Sequence, residues 1–238
     1  MTARLQCFLE GHRGSSFPTR CRTSQGERLL KLRGAGNGAA SLVSEYLVNR
    51  IAATAGLPVP DAGVVDLPEG FPWEFGTDEF DDLVKKSPGP NLGLRYVEGA
   101  QPVPAAEYPA LPAGLVSQVV TLDLAFSNCD RFGASGNLLR DRGGNCWIVD
   151  HGSCRFLFES SGEPWKVLPS GHAFAGRESV FQPGWLAPIT PAALDRIVGE
   201  LPDLWIAESG LNRTSIRDRL AVRLQALARR SAGQGGRR

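Results

Sequence analysis

The chain has 238 residues, 42% of them hydrophobic and 21% charged, and a net charge of +1. This is an ordinary globular balance, sufficient for one large domain or two small lobes around a cleft. It carries no electrostatic bias toward nucleic acid or an anionic membrane, and neither is expected as a partner.

Cysteine and histidine usage narrows the classes further. Five cysteines, an odd number with no CxxC pair, argue against a disulfide framework and a structural zinc site. Reduced thiols fit a cytoplasmic protein. Three histidines argue against a histidine-rich metal centre. The opening MTARLQCFLEGHRG lacks a long apolar run and a cleavage site, so no signal peptide is expected. The most apolar stretch, residues 115–126, is broken by Ser117, Gln118 and Asp123 and is too short and polar to span a bilayer.

In chain order, residues 3–33 read as strands joined by turns. Arg4–Glu10 alternates weakly, a loop of small residues follows at Gly11–Ser16, and Phe17–Thr23 is a second strand. Ser24-Gln25-Gly26 is a turn, and 27–32 is a third strand, completing a short antiparallel meander. After the break at Gly34–Gly38, apolar spacing predicts a helix over 39–55, stopped by Gly56 and by Pro58 and Pro60. Residues 59–67 read as a strand. Residues 68–112 are rich in Pro and Gly and read as an irregular connection, with an acidic patch at 78–82 and a short strand at 93–97. A helix over 112–127 comes next. Loop, strand, a Gly143-Gly144-Asn145 turn and another strand fill 128–150. Helices near 191–201 and 214–230 close the domain, and 231–238 reads as a frayed basic tail. A β-rich half, a connector and a mainly helical half suit a two-lobed α+β architecture.

The chemistry concentrates in Leu124–Phe158. This stretch holds Asn-Cys-Asp-Arg, then Gly-Asn-Leu-Leu, then Trp-Ile-Val-Asp-His-Gly. Phosphoryl transfer needs such a layout: one carboxylate to orient or deprotonate the attacking hydroxyl, and an amide plus a second carboxylate to hold Mg²⁺ against a triphosphate. Asp130 is the candidate for the first role, Asn137 for the amide and Asp150 for the second carboxylate. Arg131 is placed to neutralise phosphate charge. Taken singly, Asp130-Arg131 is also a loop ion pair and Asp150 a turn acid, since Asp and Gly dominate turns. Their order and spacing together favour chemistry.

Upstream, a nucleotide site needs a cation on the phosphates, held by an acid on the neighbouring helix. Lys31 ends an apolar strand and Glu45 lies on the next helix. Solvated surface positions are the alternative for both. Gly14, Ser15 and Ser16 are candidates for a phosphate-covering loop, although such residues also make plain hairpin turns. No GxxxxGK[ST] motif is present, so the chain is no P-loop enzyme.

Asn-Cys-Asp-Arg, Gly-Asn-Leu-Leu and Ile-Val-Asp-His-Gly resemble the catalytic and metal-binding segments of HipA-like kinases. More distantly they resemble the Asp-Arg site of phosphoinositide-type lipid kinases. Glu45 in a helix ending Gly-Leu-Pro-Val-Pro, and Lys31 in LLKLRG, extend the resemblance over roughly residues 10 to 160. The resemblance implies a protein-kinase-like fold with a small β-rich N-lobe at 1–100, a mainly helical C-lobe at 101–230 and a flexible tail at 231–238. It implies ATP and Mg²⁺, with Asp130 and Arg131 catalytic, Asn137 and Asp150 on the metal, and Lys31, Glu45, Gly14, Ser15 and Ser16 on the nucleotide. The expected activity moves the γ-phosphoryl of ATP to a hydroxyl, first a Ser or Thr of a protein or peptide. The alternatives are a small-molecule or lipid head-group kinase, or a nucleotide-binding pseudokinase acting as an interaction module.

One departure bears on the metal site. Protein kinases place the metal-binding Asn five residues after the catalytic Asp. Ser135 holds that place here and Asn137 lies two residues beyond. The following Leu-Leu favours Asn137, since the ligand should directly precede a strand. His172 has no obvious partner and reads as a loop residue. The five tryptophans read as packing groups, and Arg217–Arg238 as a solvated helix face with its tail.

Overall fold

The computed structural model describes residues 2–11, 18–36, 38–73, 78–133, 136–160 and 162–235. Strands β1 (Ala3–Gly11), β2 (Thr19–Thr23) and β3 (Gly26–Lys31) form the expected antiparallel meander. The meander then closes into a five-stranded barrel. Strand β4 (Ala62–Leu67) pairs antiparallel with β5 (Gly89–Arg95), and β5 pairs antiparallel with β3. Parallel pairing of Ala3 with Val65 and Arg4 with Asp66 joins β4 to β1. Closure removes the exposed edges that an open meander would leave.

Helix α1 (Gly38–Thr54) packs between the barrel and the rest of the chain. Gly56 at φ 78 ends it, with its N–H on the Ala53 carbonyl and the Leu57 N–H on the Ala52 carbonyl. This is the paired carbonyl capping that a left-handed residue after a helix allows.

The connection expected to be irregular holds more order. Helix α2 (Asp78–Lys85) lies within it. Asp78, Glu79 and Asp82 are exposed and Asp81 accepts from Trp73 Nε1, while Phe80 and Val84, one turn apart, enter the barrel core with Leu5, Phe8, Leu30, Leu32 and Val65. Beyond it, Gln101–Pro102 forms β6, which pairs with β7 (Leu138–Arg140), and β7 pairs with β8 (Cys146–Ile148).

Helix α3 (Ala113–Phe126) is buried almost all round and anchors a second, larger core, which α1 shares. Helices α4 (Pro191–Gly199), α5 (Asp203–Ser209) and α6 (Arg213–Gly235) pack on it. The short α5 was not expected; buried Trp205 fixes it by donating from Nε1 to the Pro90 carbonyl. Helix α6 runs past Ser231, where a frayed tail was expected. Its Arg223 also departs from a solvated face. It is buried, donating to the Ala125 carbonyl at 2.8 Å, Ser127 Oγ at 3.0 Å and Glu159 Oε2 at 2.8 Å. Among the described residues, no helix is long and apolar enough to cross a membrane.

Candidate active site

Strand alternation explains how Lys31 reaches the site. Leu30 and Leu32 point into the barrel core, so Lys31 between them points the opposite way, toward α1. Its ammonium donates to Glu45 Oε2 at 2.7 Å, Glu45 Oε1 at 2.9 Å and Asp150 Oδ1 at 3.0 Å. One lysine thus joins a strand, a helix and a loop that are 14 and 119 residues away in sequence. Glu45 is buried at 1% exposure, whereas the Asp150 side chain is 40% exposed.

The charges support one another. Burial opposes the Lys31 charge, but Glu45 and Asp150 outweigh it and hold the ammonium well above the usual lysine range. Burial pushes the Glu45 carboxyl up, against the pull of Lys31. Burial also opposes ionisation of Asp150, but Lys31 overcomes it and the carboxyl lies below its ordinary value. Asp150 is therefore a charged, half-open carboxylate at neutral pH.

The register of β7 and β8 brings Asn137 beside Asp150. Leu138 pairs with Ile148, and the Val149 N–H donates to the Asn137 carbonyl at 3.0 Å. Both Asn137 (φ 48) and Asp150 (φ 61) adopt the left-handed conformation that residues other than Gly seldom take. Asn137 Nδ2 donates to the Asp130 carbonyl at 3.1 Å, which brings the amide to the exposed Asp130. With Nδ2 so engaged, Oδ1 is the atom suited to a hard cation. Asp130 itself accepts from Ser153 Oγ at 3.2 Å through Oδ2.

Arg131 corrects the expectation made for it. Its guanidinium is fully buried and does not face a phosphate site. It binds Asp123 bidentately, at 2.5 Å from Nε and 3.2 Å from Nη2, and donates from Nη1 to the carbonyls of Gly136 at 2.8 Å and Asn137 at 2.9 Å. Arg131 therefore shapes the loop that carries Asn137.

His172, expected to be an unpartnered loop residue, completes this cluster. Nδ1 accepts the Phe174 N–H at 3.1 Å, so Nε2 carries the proton and donates to Asp123 Oδ2 at 3.0 Å. Burial opposes the Asp123 charge, but Arg131 and His172 hold its carboxyl down at about 2. Asn128 Nδ2 also donates to Asp123, and Asn128 Oδ1 accepts the Asp130 N–H at 3.1 Å. Asp123 was missed as a site residue. Its sequence signal was a lone acid inside an apolar helix, which demands a buried partner.

Two further features frame the site. His151 is buried, and neither ring nitrogen has a hydrogen-bond partner among the described residues. Burial, with nearby Arg131, lowers its pKa to about 4, so the ring is neutral. A side chain at Gly152 would meet Ser41 Oγ at 2.5 Å, so this close approach to α1 holds only while the Ser41 hydroxyl keeps its place. Gly14, Ser15, Ser16 and Ser135 lie outside the described residues.

A family model described as HipA-like kinase matches residues 8–161. Among solved structures, the chain is similar to the Helicobacter pylori proinflammatory kinase CtkA. The TM-score is 0.59 and the identity 10%, with 97% of this chain and 99% of that one covered, a likeness of fold. No curated protein matches the sequence significantly.

Proposed function

The chain belongs to the HipA-like kinase family, and we propose that it transfers the γ-phosphoryl of ATP to the hydroxyl of a Ser or Thr in a protein or peptide. In this reading the barrel half and the helical half are two lobes, and the nucleotide lies in the cleft between them. Five unpaired cysteines suit a reducing cytoplasm as its setting.

The observation that carries the proposal is the Lys31 ammonium held between Glu45 and Asp150. Glu45 keeps Lys31 charged and aimed, and Lys31 meets the phosphates. Asp150 and Asn137 Oδ1 offer two oxygen donors to one small space. Mg²⁺ is usually held by one or two carboxylates plus phosphate oxygens, so this donor set fits it. When bound, the ion neutralises charge on the transferring phosphoryl group. Asp130, exposed and next to Asn137, accepts the proton of the attacking hydroxyl. The contact between Asn137 and the Asp130 carbonyl supports Asn137 as the ligand despite the longer loop.

Thermal unfolding with and without Mg²⁺–ATP tests the reading. At ~100 times the dissociation constant, the nucleotide should stabilise the fold by about 2.7 kcal/mol. Asp150→Ala should lose the magnesium-dependent part. Asp130→Ala should keep the shift but lose transfer to a protein or peptide acceptor. Absence of any nucleotide shift in the wild type would remove the basis of the assignment.

A further inference from the structure

The carboxylate assigned as the base already touches a hydroxyl of its own chain. Ser153 Oγ donates to Asp130 Oδ2 at 3.2 Å. This is long for an O–H···O bond, as catalytic hydrogen bonds often are before substrates assemble. Ser153 follows Asp150 by three residues, so the same short segment carries a metal-binding carboxylate and this hydroxyl.

The backbone on both sides of Ser153 is fastened. Ser41 Oγ donates to the Gly152 carbonyl at 3.2 Å, and Cys129 Sγ donates to the Ser153 carbonyl at 3.2 Å. These bonds hold the hydroxyl at the base rather than leaving it to diffuse, which is what makes an intramolecular reaction efficient. A cavity of about 310 Å³ opens beside it, lined by Ser41, Cys129, Ser153, Arg155 and Phe158 among others. Arg155 is exposed and has no ion-pair partner among the described residues.

We propose that Ser153 is a self-phosphorylation site, modified within its own chain. This rests on the kinase reading above. Ser153 Oγ bonds to the γ-phosphorus of ATP while the bond from that phosphorus to the bridging oxygen of ADP breaks. The Ser153 proton passes to Asp130 Oδ2, and ADP leaves with the electron pair of the broken bond. The phosphoserine, with a charge of about −1.5 to −2 at neutral pH, turns from Asp130 into the cavity and meets Arg155.

The sequence supplies a clean assay. Cleavage after Arg142 and Arg155 releases residues 143–155, whose only hydroxyl side chain is Ser153. The full chain, treated with phosphatase and then incubated with Mg²⁺–ATP, should gain one phosphoryl group on this peptide. The rate per chain should not fall on dilution. Asp130→Asn should leave the peptide unmodified while Mg²⁺–ATP still raises the unfolding temperature. A wild-type thermal shift with no phosphoryl group on residues 143–155 overturns the proposal and leaves the kinase reading standing. So does a rate per chain that falls on dilution, since the reaction then runs between copies. Absence of both thermal shift and modification fails the kinase reading itself, and the proposal with it.

Discussion

Two buried ionic clusters lie close together in this protein and differ in one respect. In the first, Lys31 is shared between Glu45 and Asp150, and the Asp150 side chain is 40% exposed. In the second, Asp123 holds Arg131 and His172, and all three side chains are at most 1% exposed. The second cluster is closed. Its charges are satisfied by one another and by loop carbonyls, so it has nothing to offer a ligand. The first has one face open, at the Asp150 carboxylate. Opposite charges in contact therefore do not mark a site; an incompletely enclosed charge does. The closed cluster fixes the loop on which Asp130 and Asn137 stand, and the open one is the cluster proposed above to meet the nucleotide.

Breaking the closed cluster should have the largest effect. Asp123→Asn leaves the Arg131 guanidinium buried without its counter-charge, and such losses cost about 3–5 kcal/mol. Glu45→Gln should cost less, since Lys31 keeps Asp150 and can gain water from the open side. Urea unfolding of both variants measures the difference, and equal losses would erase the distinction between the clusters. A smaller effect should appear on acidification. The Asp123 carboxyl, faced by Arg131, His172 and Asn128, lies at about 2 against an ordinary 3.8. A depressed carboxylate stabilises the fold above its unfolded pKa, and the contribution is lost as pH falls through the folded one. Stability should therefore drop by about 2 kcal/mol between pH 3.8 and 2. Asp123→Asn should lack this limb in acid unfolding curves.

The open cluster was legible in the sequence, and the closed one largely was not. Lys31, Glu45 and Asp150 each stand at a place with a chemical meaning: a strand end, an early helix position, and an Asp-His-Gly turn. Arg131 carried the same kind of signal from its neighbour Asp130 and was misread for that reason. Adjacent residues in a loop point different ways, and Arg131 turns inward to Asp123. His172 lies 49 residues from Asp123, and nothing local announces the pairing. The meander and helices α1, α3 and α4 followed from periodicity and stop signals. Barrel closure rests on two residue pairs between β1 and β4, some 60 positions apart, which periodicity does not encode. Helix α2 hid among acids because its core face is short: Phe80 and Val84 are buried and Leu83 packs beside them. Helix α5 is seven residues long and has one buried anchor, Trp205.

Two buried histidines sharpen the comparison with the smallest expected effect. His172 belongs to the closed cluster, and both ring nitrogens are bonded. His151 adjoins the open cluster, and neither ring nitrogen is bonded among the described residues. A buried polar group without a partner costs roughly 1–3 kcal/mol, while an apolar group of similar shape avoids that cost. His151→Phe should therefore raise stability, by about 1 kcal/mol after allowance for the larger ring. The gain should widen below pH 6.5, because the wild-type imidazole resists a proton down to about 4, whereas the unfolded one accepts it. His172→Phe should move the other way, since it strips a donor from Asp123 and an acceptor from the Phe174 N–H. Thermal unfolding of the two variants side by side reads the signs. A loss in His151→Phe matching that in His172→Phe would mean that the His151 ring is bonded in solution, through a buried water next to Asp150. The half of the site taken as open would then be as fully satisfied as the half taken as closed.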